Sequence, residues 1–268
     1  MEKRWQFVAV VTDEAFVATA VANFRYLGYG FAYAFRRDTG ETRRFEIKTP
    51  LGLGAVVATE PEADFSRLSV PGGLVWYEPS PSRLRVKLKE FQADVAIDLG
   101  VPFDAAWDIP GAGRHRTRKR MGDAARGTLL WDGQAIPLAG RAMMDWSRGE
   151  LARETAWRWA AGVGRAGDRT VAWNLRTGFD DPTEAENAVW VDGTPAPAGK
   201  ATLEPGNTWR VEAGPLVLTF TPEGVHSEDV NFGLVASRYA QPWGRFEGSY
   251  EGQPLTGYGV VEDHWARW

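Results

Sequence analysis

The feature that most limits what this chain can become is an imperfect internal repeat. Near its end the sequence reads Glu251-Gly-Gln-Pro-Leu-Thr-Gly257-Tyr-Gly-Val-Val-Glu262-Asp263-His264-Trp265-Ala-Arg-Trp268. An earlier stretch reads Asp132-Gly-Gln-Ala-Ile-Pro-Leu-Ala-Gly140-Arg-Ala-Met-Met-Asp145-Trp146-Ser147. Placing Gly140 on Gly257, 117 residues apart, puts Asp145 on Glu262, Trp146 on Asp263 and Ser147 on His264. Each copy is a turn of the form acid-Gly-Gln, a Pro-Leu pair, a glycine, an apolar strand and a carboxylate. Two related halves are therefore expected, at 1–150 and 151–268, and the carboxylate closing each copy becomes the first place to look for chemistry.

The rest of the chain reads as antiparallel sheet. Leu84, Val86 and Leu88 share one face while Arg85, Lys87 and Lys89 take the other; Phe91, Ala93, Val95, Ile97 and Leu99 then alternate with polar residues after a phase shift near Glu90. A hairpin or a bulge explains that shift. Residues 5–35 are aromatic and β-branched, although the alanines of Ala15–Phe24 also admit a short helix. Asp132-Gly133 is a strong two-residue turn. Turn signals recur every eight to twelve residues beyond Pro195, as in a sandwich or barrel. The expected class is all-β, in two antiparallel barrel or sandwich halves with few, short helices.

Composition narrows the partners. A net charge of −4 and a pI near 5.6 offer no general attraction to nucleic acid. No cysteine is present, which removes disulfides, thiolate nucleophiles and thiolate metal sites. No segment has the roughly 18 apolar residues of a membrane span, and the apolar run after Met1 is too short for a signal peptide, so the reading is of a cytoplasmic protein. Tryptophan is abundant: ten of the 13 lie between Trp131 and Trp268. Most belong in cores, and a few suit the lining of an apolar ligand pocket.

Two motifs invite functional readings and are set aside. Gly162, Gly164 and Gly167 match Gly-x-Gly-x-x-Gly, but Trp173 and its neighbours read as another strand where a dinucleotide site needs a helix, so residues 161–168 are expected to form a flexible hairpin loop. Arg114-His-Arg-Thr-Arg-Lys-Arg120 lacks interleaved aromatics and is expected to be a solvated loop. His115, His226 and His264 have no metal-ligand spacing, and neither a phosphate-binding loop nor a nucleophile elbow occurs, so no metal or cofactor is called for.

Several segments together resemble a known family. Asp145-Trp-Ser, Arg153-Glu154-Thr-Ala-Trp157-Arg-Trp159-Ala, Glu186-Asn187-Ala-Val-Trp-Val-Asp192-Gly193, Gln241-Pro-Trp-Gly-Arg-Phe-Glu-Gly and the terminal Gly-x-x-Glu262-Asp-His-x-x-Arg267-Trp268 are similar to the bacterial family DUF2804, most closely over 115–268. The block around Asp263-His264 is more distantly similar to the AttH and carotenoid 1,2-hydratase group. That resemblance implies two lipocalin-like barrels, an apolar or isoprenoid ligand, and an Asp, here Asp263 beside His264, that protonates a carbon–carbon double bond.

On a strand Glu262 and His264 share one face and Asp263 takes the other, so a pocket sees either Asp263 alone or the Glu262 and His264 pair. A desolvated carboxylic acid suits protonation of an alkene or enol ether. The structural alternative has Asp263 and His264 capping a barrel end. Asp145 is a secondary carboxylate or a buried acid holding a loop. Trp146, Trp157, Trp159 and Trp265 are candidate pocket walls, with Glu154, Arg158, Asn174 and Asn187 as polar contacts; Glu154 and Arg158 alternatively form a buried ion pair. The leading reading is a cofactor-independent hydratase, isomerase, lyase or cyclase for a largely apolar, unsaturated small molecule in a Trp-lined barrel. A non-catalytic carrier and a carbohydrate-active protein with paired carboxylates remain open beside it.

Overall fold

A computed structural model describes residues 2–178, 184–231 and 233–268. Its contacts divide the chain into two compact units, Met1–Gly100 with Asp123–Gly149, and Val101–Gly122 with Glu150–Trp268. This division differs from one drawn at 150 in residues 101–122, whose contacts lie with the second unit. No α-helix occurs among the described residues, and Ala15–Asn23 is a strand.

The chain first forms β1 (Glu2–Thr12), β2 (Ala15–Asn23), β3 (Leu27–Arg36) and β4 (Thr42–Pro50). It continues through β5 (Ala55–Val56), β6 (Ser66–Val70), β7 (Gly73–Pro79), β8 (Ser82–Leu88) and β9 (Gln92–Asp98). Then come β10 (Phe103–Ile109), β11 (Gly113–Trp131) and β12 (Gln134–Glu150). The second unit adds β13 (Glu154–Ala166), β14 (Arg169–Gly178), β15 (Ala188–Val191), β16 (Thr194–Pro197) and β17 (Ala201–Glu204). It closes with β18 (Trp209–Ala213), β19 (Leu216–Asn231), β20 (Ala236–Tyr250) and β21 (Gln253–Arg267).

Both sheets share one plan. In the first the order is β4-β3-β2-β1-β12-β11-β9-β8-β7-β6-β5, and in the second β16-β15-β14-β13-β21-β20-β19-β18-β17. In each, the last strand of the unit lies between the first strand and the penultimate one. Each sheet also curls until one end strand packs on strands near its other end: β5 on β2 and β3, and β17 on β13 and β14. The apolar side chains that alternation sends to one face are thereby enclosed. In the first unit these include Val8, Val17, Ala32, Leu84, Val95, Met144 and Trp146; in the second, Ala160, Trp173, Leu175, Leu218, Phe246 and Val261. The alternation of β9, exposed and buried in turn, is the pattern that its sequence predicts.

Two expectations about loops fail for identifiable reasons. Gly162 and Gly164 lie inside β13, and only Gly167-Asp168 forms the turn. A Cβ on Gly162 would stand 2.3 Å from the Trp173 ring, and one on Gly164 2.3 Å from the Thr256 carbonyl, so these glycines serve close packing and not flexibility. The basic run is strand β11, paired with β10. Arg118 meets Asp104 at 2.6 and 2.7 Å, and alternate residues His115, Thr117 and Lys119 are buried.

The glycines of the repeat show why the two copies look alike. A Cβ on Gly140 would lie 1.9 Å from the Val11 carbonyl of the neighbouring first strand, and one on Gly257 2.8 Å from the Val163 carbonyl in the equivalent place. Substituting alanine forces the two strands apart, which costs about 1–3 kcal/mol or more. Urea unfolding should therefore show both Gly140→Ala and Gly257→Ala destabilised, with Gly140→Ala the worse because backbone, closer by nearly an ångström, blocks it.

Candidate functional site

The antiparallel pairing of β21 with β13 sets Glu262 opposite Trp159, Asp263 opposite Arg158 and His264 opposite Trp157. Val261, one residue earlier, belongs to the enclosed core, so Asp263 shares the core face while Glu262 and His264 take the opposite one. Both of the latter are buried, at 7% and 9% exposure.

Glu262 is held from both sides. The Trp157 indole donates to Oε1 at 2.6 Å and the Gln241 amide donates to Oε2 at 3.2 Å. An indole N–H can only donate, so Oε1 is an acceptor, the arrangement that suits a carboxylate. Beside it, His264 Nε2 lies 3.0 Å from the Ser237 hydroxyl. Three rings meet the imidazole edge to face: Trp157 at 4.1 Å, Tyr239 at 5.2 Å and Trp268 at 6.1 Å. Burial pushes the His264 pKa down to about 3, so the ring is neutral near pH 7. Its Nδ1 is buried and has no hydrogen-bond partner among the described residues. Trp159 lies on the same face, its indole donating to Asn174 Oδ1 at 2.8 Å, while Asn174 Nδ2 donates to the Glu186 carbonyl at 2.9 Å.

The other expected site residues lie elsewhere. Asp263 is half exposed, with Arg158 3.8 Å away, and Arg158 donates across the closing seam to the Leu203 carbonyl at 3.3 Å. Glu154, 4.0 Å from Arg267, and Trp265, beneath the guanidinium groups of Arg238 and Arg267, share this open end of the core face. Strand alternation thus separates Glu154 and Arg158 from Asn174, so these candidate polar contacts do not share one face. It also puts Trp157 and Trp159 on the face away from the enclosed core, so they do not line the barrel interior. Asn187 is occupied by main chain: its Oδ1 accepts from Arg176 N at 2.7 Å, and its Nδ2 donates to the Arg176 and Gly199 carbonyls.

The first unit repeats the carboxylate clamp without the histidine. Asp145 is buried, accepts from the Trp5 indole at 3.2 Å and from the Ser147 hydroxyl at 2.9 Å. It sits on the face away from the core, as Glu262 does, whereas Trp146 faces the core and donates to the Ala58 carbonyl at 2.9 Å.

Several contributors escaped the sequence reading. Gln241 stands in a segment marked by its resemblance, but nothing in the sequence shows that it reaches Glu262. Ser237 and Tyr239 had no signal at all, and Trp268, part of the terminal motif, had none that it reaches His264; pairing of β20 with β21 brings Tyr239 and Ser237 there. A buried ion cluster was also missed: Glu186 bonds Lys119 Nζ at 2.8 Å and pairs with Arg176, whose guanidinium covers Trp107. These two cations hold the Glu186 carboxyl down at about 2, against the burial that would raise it. No group of histidines and carboxylates suited to a metal ion occurs among the described residues.

Two curled antiparallel sheets of this plan define a tandem lipocalin-like protein, and solved structures share the fold. A crystal structure provisionally described as AttH, from Nitrosomonas europaea, superposes with a TM-score of 0.66 at 14% identity, covering 98% of this chain and 92% of that one. Kievitone hydratase from Nectria haematococca gives 0.57 at 11% identity, covering 97% and 88%. CghA with Sch210972 gives 0.59 at 12%, covering 98% and 87%. The chain belongs to the DUF2804 family, a domain of unknown function whose model matches residues 1–268. It matches no curated protein in sequence. No helix among the described residues is long and apolar enough to cross a membrane.

The buried groups predict the pH dependence of stability. His264 binds a proton near pH 6.5 when unfolded but only near 3 when folded, so the unfolded state takes up more protons and stability falls as pH drops through that window. Glu186, depressed from 4.5 to about 2, adds a further loss only below about pH 4.5. Between pH 7 and 5 the His264 contribution amounts to about 2 kcal/mol. Urea unfolding of His264→Phe at the two pH values should show the dependence reduced by that amount relative to the native protein.

Proposed function

We propose that this protein is an acid–base enzyme acting on an unsaturated small molecule, with Glu262 as the group that moves the proton. The observation that carries this is a buried carboxylate one strand step from a buried, neutral histidine with an unengaged ring nitrogen, all on one face. As a carboxylate, Glu262 takes a proton from an acidified carbon or a hydroxyl of the substrate, and the electron pair left behind forms or shifts a double bond. As the resulting acid it returns the proton to another carbon in isomerisation, or in elimination to the hydroxyl whose C–O bond breaks as it leaves as water, addition being the reverse. Addition, elimination and isomerisation share this step, so the reading covers a hydratase, lyase, isomerase or cyclase. Two proteins with the same fold, kievitone hydratase and CghA, the latter solved with Sch210972, support it.

Asp263, which the resemblance favoured, has a different place in this reading. It faces away from His264 and is half exposed beside Arg158, so it lacks the desolvation that an acid catalyst needs. Because Glu262 and Asp263 point to opposite faces, they do not flank a common bond, and a two-carboxylate glycosidase site does not form from them. A carrier without chemistry is the second reading. The recurrence of an indole-clamped carboxylate at Asp145, where no histidine follows, favours it, because that clamp then serves the fold in both units.

Proton transfer can be sought without knowing the product. A panel of α,β-unsaturated ketones incubated with the protein in deuterium oxide should acquire carbon-bound deuterium, read by mass spectrometry. Glu262→Gln should lower the rate at least about 100-fold, the usual size of a general acid–base contribution, while Asp263→Asn should stay within a few-fold of the native protein. Unchanged exchange in Glu262→Gln overturns the assignment. Ligand binding that persists in both variants with no exchange in any favours the carrier.

A further inference from the structure

His264 Nδ1 is a strong guide to what the site accepts. The residue is more than nine-tenths buried, its Nε2 is engaged by Ser237, and its Nδ1 meets no donor or acceptor among the described residues. A buried nitrogen left without a partner loses its hydration and receives nothing in return. A neutral imidazole has one donor and one acceptor nitrogen, and a serine hydroxyl can play either part toward Nε2. If Ser237 donates, Nδ1 carries the proton and requires a carbonyl or ether oxygen. If Ser237 accepts, Nδ1 requires a hydroxyl. In both cases the demand is for a polar atom, which a hydroxyl or carbonyl oxygen of the ligand supplies. The three rings around the imidazole offer it no hydrogen bond along their faces stronger than a weak polar contact, so they leave that demand unmet.

We infer that the ligand of this site is an oxygenated unsaturated molecule, not a bare hydrocarbon or polyene, and that its oxygen bonds His264 Nδ1 with Ser237 as the positioning residue. This rests on the reading of Glu262 and His264 as one site. Their spacing adds a dimension: residues two apart on a strand are roughly 6–7 Å apart along it. The ligand oxygen and the carbon or hydroxyl that Glu262 addresses are therefore separated by about the length of a fused bicyclic ring system. Glu262 and His264 thus divide the work, one moving the proton and the other holding the oxygen that orients the ligand.

The test compares 2-naphthol with naphthalene, which differ only in the oxygen, by NMR titration of protein labelled with 15N-histidine. Three histidines give three pairs of ring nitrogens, and His264→Phe identifies the pair of interest. The native protein should bind 2-naphthol at least about tenfold tighter than naphthalene, and the His264 Nδ1 signal alone should shift. In His264→Phe the two ligands should bind equally. Ser237→Ala should change the His264 tautomer signals before any ligand is added and weaken the preference. Glu262→Gln should retain the preference, which separates this inference from the proposed chemistry: loss of deuterium exchange with the preference intact leaves oxygen recognition standing. Equal affinity of the native protein for both ligands, a preference that survives in His264→Phe, or failure of 2-naphthol to bind overturns the inference. Should His264→Phe not fold, the native Nδ1 shift decides the matter by its presence or absence.

Discussion

The register of one strand governs most of what this protein can do. Strand β21 is hydrogen-bonded to β13 on one side and β20 on the other, and successive side chains along it point to opposite faces. Slipping the register by one residue would send Asp263 to Gln241 and the indoles and leave Glu262 at the open end of the core face. The backbone contact at Gly257 and the ring of Trp173 over Gly162 both hold that register, since neither tolerates a side chain in the way. The same device recurs at Gly140 against Val11. Glycine is used here for closeness, not for freedom of the backbone.

On this frame each unit builds an indole-clamped carboxylate from its first and last strands. The clamp satisfies an otherwise costly buried charge in the way such groups require, through donors fixed by the sheet. Where the copies diverge is in the next residue on that face. Ser147 turns back to Asp145 and closes the first cluster on itself. His264 instead turns toward Ser237 and three rings and keeps a nitrogen in hand. The asymmetry of Asp-Trp-Ser against Glu-Asp-His is thus a difference between a saturated cluster and one with capacity to spare.

A second buried network supports the first. The Lys119, Glu186 and Arg176 cluster ties β11, the segment before β15 and β14 together, and the Glu186 carbonyl receives Asn174, which orients the Trp159 indole. Two cations around one carboxylate in a dry setting compensate a large desolvation cost only while all three are present. In the run Arg114–Arg120 alternation turns Arg114, Arg116 and Arg118 outward, two of them opposite aspartates of β10, and His115, Thr117 and Lys119 inward, with Arg120 buried as well. Read as a string the run is merely basic, but read as a strand half of it belongs to the interior.

By itself the sequence determined the all-β class, the pair of related halves, the turn at Asp132-Gly133 and the equivalence of Asp145 with Glu262, because period-two alternation, turn dipeptides and a repeat are local properties of the chain. It also determined that Glu262 and His264 share a face, which follows from strand geometry alone. Which face that is, and what stands across from it, was decided by tertiary structure. The curl of each sheet encloses one face as core, and pairing between strands distant in the chain brings Trp157, Gln241 and Ser237 to the last strand. For the same reason Glu154 and Arg158, plausible pocket residues as a string, come to lie at an open end beside Asp263. Alternation fixes relations within a strand; only pairing between strands fixes what those side chains meet.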